Sequence, residues 1–80
     1  MSPEELRGLL ARRPFMPFRI HVSDQATYDI RNPEMVMIGR TIVCIGIARD
    51  IDSPFFDEPA WVALRHVTRL EPIVEAAPAG

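Results

Sequence analysis

Eighty residues leave room for one domain with a thin core. Hydrophobic residues make up 48 % of the chain, too many for a disordered segment, and nine arginines against eleven acids give a net charge of −2. That balance excludes a strongly basic nucleic-acid binder, and a single cysteine, Cys44, excludes a small scaffold held by internal disulfide bridges.

No apolar run approaches the roughly 18 residues needed to span a bilayer. Met1-Ser2-Pro3-Glu4-Glu5 is acidic, unlike the basic start of a secretory signal. The expectation is a cytoplasmic protein with no membrane partner. Charge is uneven along the chain. Residues 1–49 carry seven Arg and five acids, whereas residues 50–80 carry two Arg and six acids.

The chain opens on a helix signal. Ser2 suits the N-cap, Pro3 the first helical position and Glu5 the reciprocal cap. Leu6, Leu9 and Leu10 form one apolar stripe, and Pro14 predicts an end near Arg12. After the connector Phe15-Met16-Pro17, residues 18–23 alternate: Phe18, Ile20 and Val22 inward, Arg19, His21 and Ser23 outward. Asp24-Gln25 makes the turn. Residues 26–30 alternate again, with Tyr28 and Ile30 inward. Asn32-Pro33 interrupts the ladder and bends this second strand, which resumes over 35–38. Gly39-Arg40 reverses the chain. Residues 41–47 form the strongest strand, with Ile42 and Cys44 on one side and Val43, Ile45 and Ile47 on the other. Both sides are apolar, so both require cover. A long loop over 48–59 precedes strands at 61–64 and 67–70, with Arg65-His66 as the corner between them. Glu71-Pro72 closes a single domain over 1–72, and residues 73–80 read as a flexible tail. The predicted fold is mainly β with one N-terminal α-helix: a five-stranded, strongly bent antiparallel sheet or small barrel.

Two resemblances attach to these residues. Arg13-Pro14-Phe15-Met16-Pro17-Phe18-Arg19-Ile20-His21-Val22-Ser23-Asp24 resembles the opening of a family of short bacterial proteins of no known activity. Asn32-Pro33-Glu34 and the closing His66-Val67-Thr68-Arg69-Leu70-Glu71-Pro72 match later parts of that pattern. Gln25 stands where the family has a turn glycine, and Asn32 where it has histidine. The element order is similar to the Sm-like RNA-binding barrels, and Arg65-His66 stands near the position of a Lys-His pair in the bacterial members. This second resemblance implies ring-forming self-association and RNA binding.

The residues themselves give no catalytic constellation. Cys44 lies in an apolar strand with no nucleophile context and reads as a buried, inert thiol. His21, His66 and Cys44 are scattered and lack metal-ligand spacing. Asp50, Asp52, Asp57 and Glu58 lack the glycine and spacing of a calcium loop. No glycine-rich phosphate loop exists. The chain is therefore read as a non-enzyme without cofactor or metal.

Two candidate sites remain. Phe55, Phe56 and Trp61 form an aromatic loop cluster beside acids that repel phosphate. The default reading has Trp61 closing one end of the core; exposed Phe55 or Phe56 points to a protein partner. Arg19, His21, Arg31, Arg40, Arg65 and His66 would serve the RNA reading, against a default of solvated arginines paired locally. The favoured expectation is a non-catalytic protein-interaction and self-association module, a homo-oligomer whose second copy covers the apolar strand face. The alternative is an RNA-binding Sm-like barrel.

Overall fold

A computed structural model describes residues 1–50 and 52–74. It is mainly β with one N-terminal helix. Helix α1 (Pro3–Leu10) starts at Ser2, whose Oγ accepts the Glu5 N–H at 3.3 Å. Pro3 at the first position forfeits a donor that would have had no helical acceptor. Leu6 is fully buried, and Leu9 and Leu10 pack against the same core.

Six strands follow: β1 (Phe18–Val22), β2 (Thr27–Ile30), β3 (Val36–Ile38), β4 (Ile42–Ile47), β5 (Glu58–Ala63) and β6 (Val67–Pro72). They form two antiparallel three-stranded sheets, ordered β2-β1-β6 and β3-β4-β5. This corrects the expectation of one five-stranded bent sheet or closed barrel. The physical reason lies at Asn32, whose Oδ1 accepts the Glu34 N–H at 2.9 Å and caps a 3-10 turn over Pro33–Met35. A 3-10 turn takes its backbone bonds internally and offers no ladder. The long second strand is thus split, and its halves, β2 and β3, belong to different sheets.

Between β5 and β6 the corner at Arg65-His66 is a second 3-10 turn, Leu64–His66. Strand β5 begins at Glu58, three residues before the expected start at Trp61. The Asp57 N–H donates to the Ile47 carbonyl at 2.7 Å and shortens the loop. Pro59 is tolerated because β5 pairs with β4 on one side only.

Every main element feeds one core. Leu6 comes from α1, Phe18 and Ile20 from β1, Ile30 from β2, Val43 and Ile45 from β4, Val62 from β5 and Val67 from β6, with Leu64 from the second turn. Val36 and Ile38 of β3 pack against them. Each such side chain contributes about 1.5–3 kcal/mol on burial. The helix therefore closes the inner side of the sheets and leaves the outer faces to themselves. At the far end, β1 pairs with β6 from Phe18↔Pro72 to Val22↔Val67, and the Ile73 N–H donates to the Pro17 carbonyl. The expected flexible tail lies, from residue 75 on, outside the described residues.

Candidate interaction face

Strand parity decides what each sheet shows to solvent. In β4 the inward residues are Val43 and Ile45; Ile42, Cys44 and Gly46 face outward. The register then sets Met37, Cys44 and Trp61 side by side across β3, β4 and β5. Ile42 pairs with Ala63 in the row to one side, and Gly46 with Pro59 in the row to the other. All three rows are uncharged.

Among the described residues, much of this face is open to solvent. Met37 is 74 % exposed, Trp61 67 % and Ile42 40 %. Phe56 extends it. A Cβ built on Gly46 would lie 3.1 Å from the Phe56 Cβ and Cγ, so glycine is what lets the ring settle over β4. Phe56 nonetheless stays 63 % exposed, and Phe55, whose N–H donates to Ser53 Oγ at 3.1 Å, stays 77 % exposed.

Three expectations change here. Trp61 does not close the core, because its position in β5 is odd and the inward side is held by Ala60 and Val62. Cys44 is half-buried on the outer face rather than sealed inside. Met37 and Ile42 join the cluster that Phe55, Phe56 and Trp61 announced. The reversal falls one residue later than Gly39-Arg40: the Gly39 N–H donates to the Ile42 carbonyl, the turn residues are Arg40 and Thr41, and residue 37 lies opposite residue 44.

The outer face of the first sheet has the opposite character. Arg19 reaches across to Asp29 through two bonds, Nε–Oδ1 at 2.6 Å and Nη2–Oδ2 at 3.2 Å. His21 Nε2 stands 3.0 Å from Glu71 Oε1, and the guanidinium groups of Arg19 and Arg69 lie 3.6 and 3.8 Å from the same carboxylate. The Arg19 bond holds the Asp29 carboxyl below the usual carboxylate range. The His21 contact, with Arg69 and Arg19 nearby, does the same for Glu71. This face satisfies itself.

The six residues of the RNA reading are divided accordingly. Arg19 and His21 sit in the ion-paired network of the first sheet, and half-buried Arg31 follows β2. Arg65 Nε lies 3.5 Å from His66 Nε2, and Arg40 stands at the same end of the second sheet, where the Leu64 N–H donates to the Thr41 carbonyl at 2.9 Å. His66 Nδ1 lies 3.3 Å from Ser23 Oγ, and an open groove of about 330 Å³ runs there between Trp61, Tyr28, Asp24 and His66. A second groove, about 460 Å³, separates α1 from β3 and is lined by Glu4, Arg7 and Arg40.

Among the described residues, no three His, Cys, Asp or Glu side chains are grouped to hold a metal, and no helix is long and apolar enough to cross a membrane. No family model, curated protein or solved structure matches the chain.

Proposed function

We propose that this chain is a non-catalytic interaction module that docks other protein surfaces on the outer face of its second sheet. One observation carries the reading: the uncharged row Met37, Cys44 and Trp61, with Ile42 and Phe56 beside it, lies open to solvent. The first sheet, by contrast, clothes its outer face in polar side chains paired with one another. Exposed Trp, Phe and Met grouped on a rigid sheet are the residue types that anchor protein interfaces. The two-faced apolar pattern of residues 41–47 is explained by the same reading.

The test is a double substitution, Phe56→Ser with Trp61→Ser, in protein used to capture its partners from cell extract. These side chains stand outside the core, so thermal stability should change by less than about 0.5 kcal/mol. Capture of the partners that the native chain retains should drop about tenfold or more, since truncated aromatic anchors cost about 2 kcal/mol each. Undiminished capture by the folded variant overturns the reading.

The alternative, an RNA-binding barrel, draws support from the position of Arg40, Arg65 and His66 at the same end of the sheet. Against it stand the pairing of Arg19 with Asp29 and of His21 with Glu71. Retention of a mixed RNA pool at low salt, lost steeply as salt rises, would favour it over the docking reading.

A further inference from the structure

We infer that the occupant of the apolar face is a second copy of this chain, stacked face to face with its strands reversed. The inference rests on the docking reading above and adds the partner's identity. What selects a second copy is the arrangement of charge around the face.

The two ends of the second sheet carry opposite sign. At one end the 39–41 reversal and the Leu64–His66 turn present exposed Arg40 and Arg65, with His66 beside them. Glu4 and Arg7 of α1, which share a groove with Arg40, offset one another, and Asp24 lies near His66. At the other end, the loop joining β4 to β5 presents Asp50, Asp52 and Asp57 against Arg49 alone, all exposed. The middle is uncharged. The face is therefore an apolar strip with a basic end and an acidic end.

Such a strip is complementary to itself under one operation. A twofold axis lying in the plane of contact and crossing the strands at right angles reverses the strand direction of the second copy. Each basic end then meets an acidic end, twice, and the apolar middles meet one another. With a twofold through the central row, Trp61 faces Trp61 of the other copy, and Met37 faces its equivalent. An arrangement with strands running the same way would set Arg40 and Arg65 against themselves.

The size of the strip sets the strength. Two strands six residues long and one of three residues, about 4.8 Å apart at about 3.3 Å per residue, give a footprint of about 240 Å² per copy. A stable dimer buries about 800 Å² a side. The association is therefore weak, reversible and concentration-dependent.

The experiment uses the full chain and two charge-reversed forms. One carries Arg40→Glu and Arg65→Glu. The other carries Asp52→Arg with Asp50→Asn and Asp57→Asn, the amides keeping acceptors for the Asp52 and Arg49 N–H groups, which the carboxylates accept at 3.0 and 2.8 Å. Sedimentation velocity over a range of concentrations should show the native chain dimerising. Each reversed form alone should associate about tenfold more weakly or worse, because like charges now oppose. An equimolar mixture of the two should dimerise again, since every contact then joins opposite signs. Trp61 is the only tryptophan, so its emission should shift to shorter wavelength as the native protein is concentrated. This readout needs no variant and survives if a reversed form fails to fold. A native chain that stays monomeric with unshifted emission overturns the second copy; partner capture lost with Phe56 and Trp61 would then still uphold the docking reading. A dimer that ignores both reversals, or reversed forms that do not rescue one another, overturns the reversed stacking.

Discussion

Gln25 holds the one left-handed backbone conformation among the described non-glycine residues, with φ of 72°. The turn needs it: the Gln25 N–H reaches back to the Val22 carbonyl, and Asp24 Oδ1 accepts the Ala26 N–H. An L-residue in that conformation gives up about 1–2 kcal/mol, and glycine gives up part of this again in unfolded-state entropy. Gln25→Gly should therefore stabilise the protein by a few tenths to about 1 kcal/mol, seen as a higher midpoint in urea; a lower midpoint would show that the glutamine side chain contributes more than its strain removes. Asp29 and Glu71 make a second case at this scale. Both carboxyls titrate lower in the folded chain than in the unfolded one. Their contribution to stability is complete above the unfolded values, about pH 4, and is lost as pH falls through the depressed folded values. Urea midpoints should decline below about pH 4, and Asp29→Asn with Glu71→Gln should flatten that decline. An unchanged slope would mean that the solvent-exposed pairs are screened to nothing.

Helix α1 is only eight residues long and depends on its tertiary contacts. Its anchor is Leu6, which has no solvent exposure. Leu6→Ala should cost about 2–5 kcal/mol, a large share of the 5–15 typical of a whole domain. Circular dichroism in urea should show it, and a loss under 1 kcal/mol would mean that the helix is an ornament on the sheets. The helix was legible because Ser2, Pro3, Glu5 and the leucine spacing all say the same thing. Strands β1 and β2 were legible from their alternation. What the residues alone did not disclose was parity in runs with no polar member. Residues 35–38 are apolar throughout, so nothing local says that Met37 looks outward; only its pairing with Cys44 does. Trp61 reads as a core residue for the related reason that a tryptophan is expected inside, and Glu58-Pro59 reads as loop although β5 starts there. The split of the second strand was visible at Pro33, but not that its halves would serve separate sheets.

At the scale of the molecule, the two outer sheet faces divide the work. One is closed by the cross-strand network of Arg19, Asp29, His21, Glu71 and Arg69, and the other is left apolar between ends of opposite charge. A chain this small has little surface to spare, and an open Trp61 and Met37 are the more telling for it. The strand order has a further effect, on how the fold is reached. Strand β1 is the centre of its sheet, yet one of its two neighbours, β6, is separated from it by most of the domain: Phe18 meets Pro72. While the chain is being synthesised, β1 has only the short β2 hairpin for company, a pairing of marginal stability by itself. Strands β3, β4 and β5 need only near neighbours and can associate first. Nearly the whole domain must therefore leave the ribosome before β1 is covered on both edges, and until then its Phe18 and Ile20 are exposed to whatever chaperone or neighbouring chain is nearest.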